Sequence, residues 1–246
     1  MVKAALPLER ESTILAAAME SFPPERTGER PFAARFRGLG PLSWLAFLAI
    51  LAGTALSPGI GALLVVGWAA LSGTPWRDLG FVRPRRWPLM LLAGIAVGIA
   101  FKLLMKSVVM PLIGAPPVNQ AYHYLEGNRA ALHGMVPAIL FGAAFGEEVL
   151  FRGYLFERLG RLLGKGPAAT VATVILTSAL FAAAHWGSQG LPGVQQALVT
   201  GLVFATLFAR TRALPFLMVA HAAFDFTAVW LIFHGLETTV AHWFFR

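Results

Sequence analysis

Between Gly38 and Trp76 the chain runs for 39 residues without a charged side chain. A run this apolar belongs in lipid, where every backbone amide must find its partner within its own segment, and that leaves helices. About 20 residues suffice for one crossing, so the run holds two short helices with Ser57-Pro58-Gly59 as the turn between them. One long kinked helix is the alternative. Arg37 borders the run on one side and Arg77, Arg83, Arg85 and Arg86 on the other, which places both ends at the same membrane face.

Further apolar runs follow: Trp87 to Ile113, about His133 to Leu163, Ala168 to Trp186, Leu191 to Ala209 and Ala213 to Phe233. With 57% hydrophobic and 13% charged residues and a mean hydropathy of +0.67, the chain reads as an all-α polytopic membrane helical bundle of seven to eight transmembrane helices. Gly114 to Leu132, with Pro116-Pro117, reads as a loop carrying a short helix across His123. Gly235 to Arg246 is too short to cross again and lies at the interface. No internal repeat is visible, so a solenoid is not expected.

Residues 1–37 form a polar, basic N-terminal tail and residues 38–246 the multi-pass domain, with its motif core at 134–229. Ile14 to Met19 is too short for a signal-peptide core and is flanked by Glu11 and Glu20. Leu8 to Met19 has the length of a short surface helix. The net charge of +8 comes from basic residues scattered between apolar runs. Cytoplasmic loops and anionic lipid headgroups account for them, and nucleic acid is not an expected partner. With no cysteine there is no thiolate nucleophile or ligand.

The charges inside the spans are few. From Met135 to Phe156 they are Glu147, Glu148 and Arg152. A carboxylate in the hydrocarbon costs at least ~2.5 to 3.5 kcal/mol at a helix centre, so such groups face a bundle interior or a wet cavity. Glu148 and Arg152, four apart, share a helix face and pair, while Glu147 points about 100° away and stays free to react. Gly142 and Gly146 form a small-xxx-small spacing that admits a neighbouring helix beside Glu147. Counted from the turn at Lys165, Glu147 lies 18 residues back and His185 lies 20 forward, so an antiparallel helix pair brings them to one level. His221 and Asp225, four apart, share a face of the last span. Lys102 and Lys106 also share a face; snorkelling to the interface is the preferred reading for both, and lining the bundle interior is the alternative. His123, His133, His234 and His242 lie near loops or span ends and receive no role.

A carboxylate and two imidazoles are the parts needed to activate water and to stabilise the oxyanion formed when it attacks an amide. At this point the residues resemble the CPBP family of intramembrane proteases, which comprises the type II CAAX prenyl endopeptidases and the bacteriocin-processing, or Abi, proteins. Three motifs carry the resemblance. Glu147-Glu148-Val149-Leu150-Phe151-Arg152 matches Glu-Glu-x-x-x-Arg, and Phe181-Ala182-Ala183-Ala184-His185 matches Phe-x-x-x-His. His221-Ala222-Ala223-Phe224-Asp225 matches His-x-x-x-Asn/Asp. They occur in family order on apolar spans, and the likeness covers about Gly134 to Val229.

The resemblance implies an intramembrane endopeptidase that cuts membrane-anchored or lipidated proteins or peptides near their C-terminus. Glu147 and His185 would activate water, and His221 and Asp225 would form the oxyanion site. Glu148, Arg152 and Phe181 would support them. The best-studied branch has Asn where this chain has Asp225, so Asp225 either carries a proton or orients His221 without donating to the oxyanion. The favoured mechanism needs no cofactor. Zinc or another divalent metal on Glu147, His185 and His221 is the alternative, since two His and one Glu match catalytic zinc chemistry, although no His-Glu-x-x-His occurs. Two other functional readings stay open: a non-proteolytic membrane protein for peptide immunity or processing support, and a proton-coupled transporter. The expected location is the cell membrane with the N-terminus in the cytoplasm, which puts Glu147 and His185 in the extracytoplasmic half. Membrane lipids are the expected surroundings, and the oligomeric state is left open.

Overall fold

The computed structural model describes residues 31–164 and 166–245. The Leu8 to Met19 surface helix lies outside the described residues. Among them there are helices and no strands.

A short helix α1 (Pro31–Arg37) leads into α2 (Pro41–Leu56) and α3 (Pro58–Ser72), with Ser57 in extended conformation between them. The proline after Ser57 cannot donate a backbone hydrogen bond and starts the second helix at its first position, where no donor is needed. The two helices pack on each other as the hairpin reading expects. A one-turn 3-10 helix (Trp76–Leu79) precedes α4, which runs from Trp87 to Leu112 through a π-helical turn at Met105–Val109. A 3-10 stretch, Gln120–Leu125, crosses His123 as anticipated. The long helix α5 spans Arg129–Leu163. Then come α6 (Pro167–Ala184), α7 (Trp186–Thr211), α8 (Leu214–Phe233) and the short α9 (Glu237–Ala241).

Five of these helices, α4 to α8, are long and apolar enough to cross a membrane, and the chain is a multi-pass membrane protein. The expected seven to eight spans therefore resolve into five full-length helices plus the shorter apolar pair α2 and α3, of 16 and 15 residues. At about 1.5 Å per residue that pair reaches only ~24 Å, less than the ~30 Å hydrocarbon core.

The bundle is apolar outside and mixed inside. Leu45, Leu92, Val171 and Ile175 are more than half exposed, facing outward where lipid would lie, whereas Thr173, Thr177, Ser178 and Thr200 are buried. These hydroxyls donate to the carbonyl four residues earlier, so they enter the interior already satisfied. Among lipid tails packing, not water exclusion, holds helices together, and small residues let backbones approach. Gly98 of α4 shows this: a Cβ there would sit 2.2 Å from the Ala220 carbonyl oxygen of α8. Gly146 of α5 does the same for α3, since its Cβ would fall 2.6 Å from the Pro58 carbonyl carbon. Its expected companion Gly142 has open space around it and takes no part.

Charges tie the bundle ends. Arg158 pairs with Glu157 at 2.6 Å and donates to the carbonyls of Arg37 at 2.8 Å and Gly38 at 3.0 Å. Residues 31–37 are thus docked on the bundle, and Trp68 adds a hydrogen bond of 3.1 Å to the Phe36 carbonyl. Lys102 and Lys106 do not snorkel. Both are buried, and Lys106 pairs with Glu237 at 2.6 Å.

Candidate active site

The middle of α5, Ala138–Tyr154, is π-helical, with each amide bonded one residue further back than in an α-helix. Single π turns are the usual form and cluster at functional sites; seventeen residues of it are unusual. This widened segment carries Glu147, Glu148 and Arg152. Glu148 is 0% exposed and Arg152 1%, and Arg152 Nη1 donates to Glu148 Oε1 at 2.9 Å, the pairing read from their spacing. The guanidinium lies 4.4 Å from the Phe181 ring centroid and 5.8 Å from that of Phe204, so two aromatic faces share its charge.

The same Glu148 oxygen reaches across to α8, where His221 Nδ1 donates to it at 2.7 Å. A carboxylate only accepts, so this contact fixes a proton on Nδ1 and leaves Nε2 for chemistry. His221 Nε2 sits 3.7 Å from Glu147 Oε2 and 3.6 Å from Asp225 Oδ2. Both gaps exceed a direct hydrogen bond. Glu147 and Asp225 keep 18% and 28% of their side chains accessible, in contrast to the sealed Glu148.

His185 ends α6 and begins α7. Its Nδ1 donates to the Phe181 carbonyl at 2.8 Å, and a carbonyl cannot donate, so in the neutral ring Nε2 carries the lone pair. Phe181 packs edge-on against both His185, at 4.7 Å between centroids, and His221, at 6.4 Å. One phenylalanine thus braces both imidazoles and the guanidinium. That accounts for the Phe four residues before the histidine.

Glu147, His185, His221 and Asp225 all line one cavity of about 120 Å³, bounded by α4, α5, α6, α7 and α8. The four expected catalytic residues are brought together, and the supporting three stand behind them. The cavity also has walls that the sequence reading did not assign: Lys102, Tyr122, Gln189 and Gln196. Gln189 and Gln196 are seven apart in the sequence, a spacing unremarkable by itself. Between them Gly190, at φ 60°, and Pro192 kink the helix. Tyr122 comes from the 3-10 stretch, and Gln189 Nε2 approaches its hydroxyl at 3.5 Å. Burial pushes the Tyr122 phenol up, with the carboxylates of Asp225 and Glu147 adding to the effect, so it remains a neutral O–H donor.

Glu147, His185 and His221 share the cavity without closing into a coordination set. Among the described residues no three His, Asp or Glu side chains group as a metal site requires, so the metalloprotease alternative finds no support in the donor geometry.

No curated protein and no solved structure matches the chain. Residues 129–227 match the family model described as Type II CAAX prenyl endopeptidase Rce1-like. That segment opens with α5 and closes within α8, so it contains all three motifs, and over it the chain is similar to the Rce1-like type II CAAX prenyl endopeptidases, consistent with a CPBP-type protease.

Proposed function

We propose that the protein is a glutamate-dependent intramembrane endopeptidase that hydrolyses peptide bonds of membrane-anchored or lipidated substrates near their C-terminus. The observation that carries this reading is the convergence of Glu147, His185, His221 and Asp225 on one small cavity, with Glu148 anchoring His221 from behind. Glu147 takes a proton from a water molecule whose oxygen attacks the substrate carbonyl carbon, and His185 Nε2 accepts the second hydrogen bond of that water. The resulting oxyanion faces His221 Nε2–H, with His221 doubly protonated because Glu148 on Nδ1 and Asp225 near Nε2 balance the imidazolium charge. The proton held by Glu147 then passes to the amide nitrogen as the C–N bond breaks, which leaves a new carboxyl group and a free amine. Asp225 fixes His221 beside the oxyanion. No step uses a metal, and cleavage is expected to survive a chelator.

The basic residues of the loops near Arg83, Arg161 and Arg210 favour the cytoplasmic side for their end of the bundle. That opens the site toward the extracytoplasmic half, which suits anchored precursors of exported peptides. In the deciding experiment, membrane-protein C-termini are compared by mass spectrometry between cells carrying wild-type protein and cells carrying Glu147→Gln. Fragments lost in the variant identify the substrates. Identical profiles from two equally expressed, folded proteins would refute the assignment and return weight to a non-proteolytic role.

A further inference from the structure

A second cavity of about 170 Å³ adjoins the candidate active site, and Lys102, Asn119, Gln189 and Gln196 line both. At its far end Lys106 is neutralised: it pairs with Glu237 at 2.6 Å and donates to the Pro117 carbonyl at 2.6 Å. Lys102 is different. It is 6% exposed, donates to Gln196 Oε1 at 2.9 Å and lies 4.7 Å from the Phe224 ring centroid. Among the described residues no carboxylate lies within ion-pair distance of its ammonium. The Asp225 and Glu237 carboxylates act on it only from beyond that distance, and an ammonium sunk in a bundle without a directly bonded anion is costly, since buried cations are ordinarily paired. One amide oxygen and one ring leave donors unused on a group that has three.

We propose that Lys102 receives the free C-terminal carboxylate of the substrate. The position is suited to it: a cation beside the hydrolytic cavity, at the mouth of a second chamber whose other walls include Met110, Pro116 and Leu231. A short apolar peptide end fills that chamber with its side chains and presents its terminal charge to Lys102, with the amides of Gln196 and Gln189 as neutral partners. The anion also fulfils the electrostatic need of the site, since a bound carboxylate completes the pairing that the chain itself leaves open. This inference rests on the peptidase reading and adds to it an exopeptidase-like limit: the enzyme measures from the chain end, and internal segments without a free carboxylate are rejected.

The test uses the full chain in dodecyl maltoside, a detergent without phosphate or carboxylate, carrying Glu147→Gln so that the probe is not consumed. The probe is dansyl-Ala-Leu-Leu-Ala as free acid and as C-terminal amide. The acid is expected to bind at least about tenfold more tightly than the amide, the scale of one charge-assisted hydrogen bond. Adding Lys102→Met brings the two affinities together, and Lys102→Arg keeps them apart. Lys102→Gln replaces the Met variant if the latter fails to fold. Equal affinities with Lys102 present, an unchanged ratio in a folded uncharged variant, or no binding of either probe would overturn the proposal. Acid-selective binding here, together with no cleavage of the probe by the protein with Glu147 restored, would sink the peptidase reading instead and leave the carboxylate site standing.

Discussion

Arg152→Met is the perturbation that separates architecture from chemistry at this site. Arg152 and Glu148 are 1% and 0% exposed, and among the described residues the guanidinium and the His221 ring are what bond that carboxylate. Removing one partner of such a pair leaves the other charge buried, which costs about 3–5 kcal/mol. The pair is joined by a single hydrogen bond, and Glu148 Oε2 and Arg152 Nη2 have no hydrogen-bond partner among the described residues. That points to the lower end, about 3 kcal/mol, to which the lost stacking on Phe181 adds about 1 kcal/mol. The double change Glu148→Leu with Arg152→Met removes both charges. It should cost clearly less than the two single changes together, by about 2 kcal/mol or more. His221 then has no carboxylate on Nδ1, so the double variant is expected to be folded and at least about 100-fold less active. Unfolding in mixed micelles with increasing dodecyl sulfate, run on all four proteins, reads the stabilities, and peptide cleavage reads the activity. Additive stabilities would refute the coupling. A double variant with wild-type activity would refute the role given to Glu148.

Asp225→Asn should keep cleavage within about tenfold of wild type, because an amide still holds His221 and removes any repulsion of the oxyanion, whereas Asp225→Ala should lose about 100-fold; equal losses in steady-state kinetics would argue against that role. Gly146→Val should destabilise by at least about 1–3 kcal/mol, since the Pro58 and Gly59 backbone occupies the space a Cβ needs, while Gly142→Ala, with open space around it, should leave the melting temperature of the detergent-solubilised protein unchanged.

The parts of this molecule that a sequence can display are those written as charge or as chain breaks. Ser57-Pro58 announces the α2–α3 break because proline has no amide hydrogen to give. Glu147, Glu148, Arg152, His221 and Asp225 stand out because so few ionisable groups occur on their helices. Their mutual spacing then gave the Glu148–Arg152 pair, observed at 2.9 Å. What stayed hidden depends on contacts between distant segments. The link from Glu148 to His221 spans 73 positions and has no local signature. The burial of Lys102 depends on Gln196, 94 residues away, and the placement of Tyr122 on the folding back of a loop. The π-helical winding of Ala138–Tyr154 has no composition of its own, because the residues that fill it are ordinary α-helix formers.

That separation of Glu148 from His221 also has a consequence for biogenesis. A ribosome adding about 5–20 residues per second needs about 4–15 s to progress from the one to the other. During that interval α5 carries Glu147 and Glu148 in its middle, while the histidine that crosses to Glu148 has yet to be made. Arg152 can pair with Glu148 without waiting, since it is supplied by the same helix four residues on. The guanidinium is therefore at hand to neutralise Glu148 as soon as α5 winds, whereas the brace on His221 has to wait for α8.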